Sequence, residues 1–464
     1  MSSGRRSYTS NVTIVQPPST LAKSPQPEVQ VKPGFDTIVR TREAGIAVIG
    51  LGYVGLPLAL GYAEAGFRVV GVDLDQERVT AINAGKSHSA DVPPKDVAAQ
   101  VDAGRLTGTT DYQVLGASDT IFICVPTPYT RNKEPDTSRI RAAAEGIARN
   151  LRAGQLVILR STSYPGTTEE LVRPILESTG LKIGQDVFLA FAPERVDPGR
   201  RDYKLRNTPV LVGGCEMEST ARAKLVLEQV VEHVIPMTSP AAAEMAKLLE
   251  NVFRNVNIAL VNQLAMLCDR MGLDIWEITD AAATKPYGFL PFQPGPGIGG
   301  HCIPVDPHYL AWKAREFDFH MDFIELAARV NDDMPYYVGT KILLALNGHN
   351  IAIHPRILML GVTFKRDVED YRDSPALKIM EILRKRGAVV TYHDPHVPSL
   401  AVNGQTLFSE PLTPEALAEA DCVMIATDHS SFDYDWIVRQ ANKVFDARNA
   451  TRHVKEGREK IIRL

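Results

Sequence analysis

The run Gly45-Ile46-Ala47-Val48-Ile49-Gly50-Leu51-Gly52-Tyr53-Val54-Gly55 decides the fold. Its first half is a short apolar run of the kind that fills a strand, and a glycine turn follows it. A helical stretch then reaches about Ala65, and a second apolar run, Val69-Val70-Gly71-Val72, ends in Asp73. That order is a βαβ unit. Within it Gly50 permits the tight turn, Gly52 lets a pyrophosphate approach the backbone, and Gly55 allows the helix to pack closely on the strand. The helix start, beside Tyr53 and Val54, supplies amide donors and a positive dipole end. A carboxylate in the position of Asp73 hydrogen-bonds an adenosine ribose and would repel a 2′-phosphate, and its neighbours Leu74 and Asp75 bring no cation. The unit predicts a dinucleotide site that prefers NAD to NADP.

Outward from this unit, Thr120-Ile121-Phe122-Ile123-Cys124-Val125 and Leu156-Val157-Ile158-Leu159 alternate with helical segments, which predicts a parallel sheet covered on both faces. The stretch from about 241 to 271 carries Met245, Leu248, Leu249, Val252, Val256, Ala259 and Leu260 at helical spacing, with Gly272 as a stop, and reads as a long central helix. After about 350 the opening pattern returns as Ile357-Leu358-Met359-Leu360-Gly361, a loop, a helix, and a strand ending in Asp394. Ala420-Asp421-Cys422-Val423-Met424-Ile425 likewise echoes Ala117-Ser118-Asp119-Thr120-Ile121-Phe122. The expected fold class is α/β, with two Rossmann-like doubly wound domains over 41–240 and 336–464 flanking a helical middle over 241–335. The second copy has Thr363-Phe364-Lys365 where the first has glycines, so its ligand should differ. Residues 1–40 mix Ser, Pro, Thr, Gln and Lys without periodicity and predict a disordered extension.

A chain of 464 residues, 44% apolar and 23% charged, has room for about three globular domains. Its net charge of −4 gives no field that would gather a polyanion or an anionic membrane, which leaves small molecules as partners. The five cysteines, Cys124, Cys215, Cys268, Cys302 and Cys422, are odd in number, scattered, and without a C-x-x-C pair, which argues against a disulfide framework or zinc knuckle and fits a reducing cytoplasm. No apolar run reaches the roughly 18 residues of a membrane span, and the charged start has no apolar stretch behind it to make a secretory signal.

One of those cysteines lies in the run PGPGIGGHCIPVDPHYL, 294–310. Three readings of Cys302 compete. It is a buried inert thiol, a metal ligand with His301, Asp306 and His308, or a nucleophile in a loop whose glycines approach a ligand and whose prolines hold shape. Adjacent His301 and Cys302 do not easily share one tetrahedral centre. On the central helix, Lys247, Asn251 and Arg254 recur at i, i+4 and i+7, which sets an amine, an amide and a guanidinium on one face. By itself such a row could be a solvated face, but it lies among apolar residues in a helix expected between two ligand-binding domains.

Taken together, these motifs resemble the UDP-glucose/GDP-mannose dehydrogenase family, over residues 44 to 450. The resemblance runs in order through GLGYVGLPLA, VPTP at 125–128, RSTSYPGTT at 160–168, APERVDPG at 192–199, KLLEN at 247–251, the cysteine loop, and FKRDVEDYRDSP at 364–375. It implies an NAD domain, a helical dimerising middle and a domain for the nucleotide of a UDP-sugar. Within the family, GGHCIPVDPxYL and PERVxPG most resemble the bacterial UDP-N-acetylglucosamine 6-dehydrogenases. UDP-glucose enzymes more often carry Lys in the place of Val305, and Asn-Pro-Glu-Phe in that of Ala192-Pro193-Glu194-Arg195.

The resemblance implies a four-electron oxidation of a sugar C6 alcohol to a uronate, in surface polysaccharide biosynthesis, with Cys302 holding the aldehyde as a thiohemiacetal and then a thioester. It carries over Lys247 as the cation on the developing oxyanion, Asn251 as its helper, Asp306 as a base acting through water, Thr162 as the residue orienting that water, and Glu194 as the carboxylate of thioester hydrolysis. Pro126, Thr127, Ser161 and Thr162 would line the cofactor. Arg195, Arg254, Phe292, Gly295, Gly299, Lys365 and Arg448 would meet the sugar nucleotide. On the residues alone, Asp306 could equally cap a helix starting near Pro307, and Glu194 could be an exposed loop acid. Two rival functions follow from the same motifs. A two-electron β-hydroxyacid dehydrogenase needs neither the loop cysteine nor the second Rossmann-like domain, and a non-catalytic NAD-binding regulator would not need the matched catalytic side chains.

Overall fold

The first apolar run forms strand β1 (Gly45–Ile49), and its composition follows from burial on two sides. Ile46 and Val48 enter the core on one face of the sheet, and Ala47 and Ile49 enter the core on the other. Around it lie β2 (Arg68–Val72), β3 (Leu106–Thr109), β4 (Thr120–Ile123), β5 (Leu156–Leu159), β6 (Phe188–Phe191), β7 (Val210–Gly214) and β8 (Val234–Pro236), in the order 3-2-1-4-5-6-7-8. All neighbours are parallel except β6 and β7. Helices Gly55–Glu64 and Met217–Leu227 cover one face, and Ser138–Ala148 and Arg173–Glu177 the other. The strand order reverses between β1 and β4, where a doubly wound sheet opens a crevice at its carboxyl edge. The computed structural model describes residues 34–89, 92–130, 132–197, 202–300, 303–347, 354–402 and 404–464.

One expectation is corrected at the amino end. Phe35–Arg40 is a helix with Phe35 and Val39 buried, so the extension predicted over 1–40 stops short of it. Phe35 lies under the Arg222 guanidinium, 4.8 Å from the ring centre, a partner that local composition does not reveal. Residues 1–33 lie outside the described residues.

The central helix runs over Pro240–Met271, about 48 Å at 1.5 Å per residue. Ser239 caps it by accepting from the Ala242 N–H, and Gly272 ends it in the left-handed conformation, φ 69°. A second long helix, Asp322–Asn347, crosses the 335/336 boundary without a break. Ala327 and Val330 in its first half pack on Ala259 of the central helix. Met334, Val338, Ile342 and Leu346 in its second half enter the core of the third domain.

That core is built on β9 (Arg356–Leu360), whose Ile357 and Met359 face one way and Leu358 and Leu360 the other. With β10 (Val389–His393), a side hairpin of β11 (Ser399–Val402) and β12 (Gln405–Phe408), then β13 (Cys422–Ile425), β14 (Val444–Asp446) and β15 (Ile461–Arg463), it gives a parallel sheet ordered 10-9-13-14-15. The predicted repeat is therefore a repeat of topology, strand for strand around β1 and β9. Among the described residues no helix is long and apolar enough to cross a membrane.

Candidate active site

The turn after β1 needs its first and third glycines for the fold. Gly50 has φ +89°, and a Cβ there would fall 2.7 Å from the Cys124 carbonyl oxygen. A Cβ on Gly55 would fall 1.8 Å from the Gly50 carbonyl oxygen. At Gly52, by contrast, nothing lies within 4 Å of that position. The open space sits just ahead of the helix start at Gly55, with Val54 as its N-cap residue, so the pyrophosphate of a dinucleotide fits there. Tyr53 stands exposed beside it, with the Arg372 guanidinium of the third domain 4.8 Å from its ring centre.

Asp73 is buried at the end of β2 and accepts hydrogen bonds from the N–H groups of Leu51 (2.8 Å) and Asp75 (3.0 Å). Burial alone would raise its carboxyl, but these bonds and Arg78 outweigh burial and hold it below the ordinary aspartate range. Arg78 Nη1 lies 2.9 Å from Asp73 Oδ2. This cation, five residues on, was not anticipated from the immediate neighbours of Asp73.

The turns that follow β4 and β5 are tied by hydroxyls. Thr127 Oγ1 donates to the Thr162 carbonyl (2.6 Å), and Ser161 Oγ to the Val125 carbonyl (2.7 Å), which leaves Pro126 exposed between them. Tyr309 OH donates to the carbonyls of Thr127 and Pro128, joining this edge to the helix Asp306–Ala314. The Thr162 hydroxyl makes no hydrogen bond among the described residues.

Of the polar row predicted on the central helix, Lys247 and Asn251 are buried and Arg254 is exposed, and the buried polar stripe is longer than the sequence suggested. Lys247 and Asn251 lie on it, and so do Asn255 and Asn262. Asn251 Nδ2 donates to Asp306 Oδ2, Asn255 Nδ2 to the Ile303 carbonyl (3.1 Å), and the Gly295 N–H to Asn262 Oδ1 (2.9 Å). Three asparagines thus anchor Gly295, Ile303 and Asp306 to one helix. Asn331 closes the set, accepting from Asn262 Nδ2 (3.0 Å) and donating to the Asn255 carbonyl (3.1 Å). A periodicity of buried asparagine was the available signal for Asn255 and Asn262.

Asp306 opens the helix Asp306–Ala314, but its side chain does not cap it. It is 3% exposed and turned to Asn251 instead. Burial pushes its carboxyl up to about 6, while the Lys247 ammonium and the Asn251 hydrogen bond restrain the rise. Lys247 is itself buried. A carboxylate that is neutralised below about pH 6, a cation and an amide donor are therefore brought together. Cys302 and His301 lie outside the described residues.

The loop glycines, expected to admit a ligand, also lie tightly against the third domain. A Cβ on Gly299 would fall 2.7 Å from Phe364 Cβ, and one on Gly300 3.0 Å from the Phe364 ring. A Cβ on Gly295 would meet Arg448 Nη1 at 2.8 Å. These glycines let the loop approach the third domain itself. Phe292 packs edge-on to Phe253 of the central helix, ring centres 5.7 Å apart.

Glu194, after β6, is paired with the fully buried Arg160 (Nη2 to Oε2 2.6 Å) and accepts from the N–H groups of Arg195 and Val196, 2.8 Å each. Burial would raise its carboxyl; Arg160 and the two amides prevail and hold it below the ordinary glutamate range. Arg195 is engaged elsewhere, by Glu250 of the central helix (2.7 Å) and the Pro209 carbonyl (2.7 Å). Asp197, to which the sequence assigned nothing, lies 2.9 Å from Lys365 Nζ and 4.0 Å from Arg254 Nη1.

Arg448, at the end of β14, donates from Nε to the Ala426 carbonyl (3.0 Å). Burial and the neighbouring Arg366 push its guanidinium down to about 10. It lines a cavity of about 230 Å³ between the third domain and the central one with Arg366, Arg452, Asn449, Gln293, Trp276, Asp280 and Asp428; Asp428 is paired with Arg366, which leaves Arg448 and Arg452 as cations and Trp276 as a planar surface for a ligand. Among the described residues Asp367, His396 and His429 are close enough to hold a metal, with Asp367 Oδ1 3.6 Å from His429 Nδ1. Both ring nitrogens of His429 are already used, however: Nδ1 accepts from the Asp367 N–H (3.0 Å), and Nε2 donates to Asp394 Oδ2 (3.1 Å).

Three models of the UDP-glucose/GDP-mannose dehydrogenase family match along the chain: its NAD binding domain over residues 44–231, its central domain over 241–333, and its UDP binding domain over 358–453. The chain is 37% identical over 392 residues to the UDP-N-acetyl-D-mannosamine dehydrogenase of Pyrococcus horikoshii, covering 83% of this chain and 90% of that one. It is 35% identical over 394 residues to the UDP-N-acetyl-D-glucosamine 6-dehydrogenase of Pseudomonas aeruginosa, covering 84% and 92%. The solved structure of the UDP-D-ManNAc dehydrogenase from Pyrococcus horikoshii matches with a TM-score of 0.82 at 34% identity, over 90% of this chain and 98% of that one.

Proposed function

Because the chain belongs to the UDP-glucose/GDP-mannose dehydrogenase family and is an NAD-dependent nucleotide-sugar dehydrogenase, we propose that it oxidises the C6 alcohol of a UDP-N-acetylhexosamine, UDP-N-acetylglucosamine foremost, to the uronate. The observation that carries this reading is the buried grouping of Lys247, Asn251 and Asp306, the last of which follows Cys302 by four residues in the chain.

NAD, held at the glycine turn by Gly52 and the helix start and at its ribose by Asp73, would supply the hydride acceptor for the first oxidation, and a second NAD, exchanged for the NADH formed, that for the second. Asp306, ionised at neutral pH, draws the proton from the C6 hydroxyl through a water that Thr162 orients, and the Lys247 ammonium and Asn251 amide stabilise the oxygen as it gains charge. The Cys302 thiol adds to the aldehyde, since an aldehyde gives up a hydride readily only after a nucleophile has added. The second oxidation leaves a thioester. Water then releases the carboxylate and restores the thiol, with Glu194, kept anionic by Arg160, beside the reacting water. Lys365, Arg254 and Arg448 receive the UDP moiety, and the cavity beside Arg448 has the chemistry for it.

Asp306 works as a base only when deprotonated, so activity should fall as pH drops through about 6. In Asn251→Ala the same limb should move to higher pH, because a hydrogen bond that favours the charged form is gone. A limb that stays in place would remove Asn251 from this role.

The Pyrococcus horikoshii relative favours UDP-N-acetylmannosamine as a second reading. Initial rates of NADH formation on UDP-N-acetylglucosamine, UDP-N-acetylmannosamine and UDP-glucose decide between them. Highest kcat/KM on UDP-glucose would defeat both. The row of Leu249, Leu260, Leu264, Leu267 and Met271 exposed on the central helix supports a homodimer or larger homo-oligomer.

A further inference from the structure

Asp197, Lys365 and Arg254 come from three parts of the chain: the segment after β6, the turn after β9, and the central helix. Asp197 Oδ1 lies 2.9 Å from Lys365 Nζ, and Oδ2 lies 4.0 Å from Arg254 Nη1. Its position is set by the residues before it. Glu194 is fixed by Arg160 and two backbone amides, and Arg195 by Glu250 and the Pro209 carbonyl. The chain therefore reaches position 197 from a pinned segment, with its carboxylate between two cations that belong to other domains.

Two cations placed to receive a diphosphate repel each other when the diphosphate is absent. A carboxylate between them offsets that repulsion, but it occupies an N–H donor of Lys365 that a phosphate oxygen would use and draws Arg254 by charge alone. We propose that Asp197 is a built-in counter-ion that stands in for the substrate diphosphate, keeping Lys365 and Arg254 in position between turnovers and yielding to the nucleotide sugar as it binds. This rests on the assignment of Lys365 and Arg254 to the diphosphate. Asp197 acts through those two cations, so it is a positioning residue.

The test is equilibrium titration with UDP of wild type, Asp197→Asn and Asp197→Glu, at low and high salt. Loss of the competing charge in Asp197→Asn should tighten UDP binding about tenfold at low salt and make the affinity fall more steeply with added salt. Asp197→Glu keeps the charge and should stay within about twofold of wild type. Asp197→Ser removes the same charge and serves if the asparagine variant does not fold. Wild-type UDP binding with equal or weaker binding by the uncharged variants would overturn the counter-ion and leave the dehydrogenase reading standing. Failure of wild type to bind UDP would overturn both.

Discussion

The turns after β1 and β9 share a frame and differ in what they leave open. In the first, the Gly50 N–H donates to the Val72 carbonyl (2.8 Å) and the Leu51 N–H to Asp73 (2.8 Å). In the second, the Gly361 N–H donates to the His393 carbonyl (2.9 Å) and the Val362 N–H to Asp394 (2.7 Å). Gly50 and Gly361 both take positive φ, +89° and +77°, and a Cβ at either would in addition strike the chain just past the neighbouring strand. Past this point the copies part. The first continues with Gly52 over open space and Gly55 against Gly50. The second continues with Thr363 and Lys365, and its aspartate is paired with the buried His429. The strand, the glycine and the terminal carboxylate thus serve the fold in both copies, while the residues after them set the ligand. Asp73 alone is weaker evidence for a dinucleotide than Asp73 together with Gly52 and Gly55.

The comparison can be broken most severely at Gly55. Gly55→Ala must move the Gly50 carbonyl, and should cost about 3 kcal/mol or more of stability and raise the NAD dissociation constant more than about 100-fold. UDP binding at the other copy should survive wherever the protein stays folded. Denaturant unfolding and separate NAD and UDP titrations would show it, and unchanged NAD affinity would refute the role given to Gly55.

A smaller and opposite pair of effects is expected at the two aspartates. Asp394→Ala leaves the buried His429 ring and the Val362 N–H without their acceptor, and should cost about 2–4 kcal/mol with NAD affinity unchanged. Asp73→Ala leaves the buried Leu51 N–H without its acceptor but frees Arg78, one-third exposed, to turn to water, so it should cost about 1–2 kcal/mol, less than Asp394→Ala, yet weaken NAD binding about tenfold or more. If Asp394→Ala weakened NAD binding as much as Asp73→Ala, the division of labour between the copies would be wrong. The smallest effect on the fold belongs to Gly52→Ala, which meets no atom and should change stability by less than about 0.5 kcal/mol while still hindering NAD. A large loss of stability there would mean that the open space is needed by the protein itself.

The local parts of this architecture were legible in the sequence. The glycine turn, the end of β2 at Asp73, the stop at Gly272 and the second copy at Ile357 each depend on residues within one turn or one strand, where spacing reports geometry. The short helix Phe35–Arg40 escaped notice because Phe35 and Val39 are buried against residues distant in the chain, Arg222 over Phe35 among them. Arg160 beneath Glu194, Asp197 between Lys365 and Arg254, and Asn262 beneath Gly295 escaped for the same reason: each bond joins residues more than 30 positions apart. That the loop glycines also make room for Phe364 and Arg448 could not be read locally, because it requires the third domain in place. Cys302 remains an assignment from sequence.

The central claim is a four-electron oxidation carried through Cys302. With a limiting amount of the UDP-sugar turned over fastest and an excess of NAD, the account predicts two NADH for each sugar consumed and the uronate as sole product. One NADH per sugar with free aldehyde released, or full yield of uronate at the normal rate from Cys302→Ser, would contradict it.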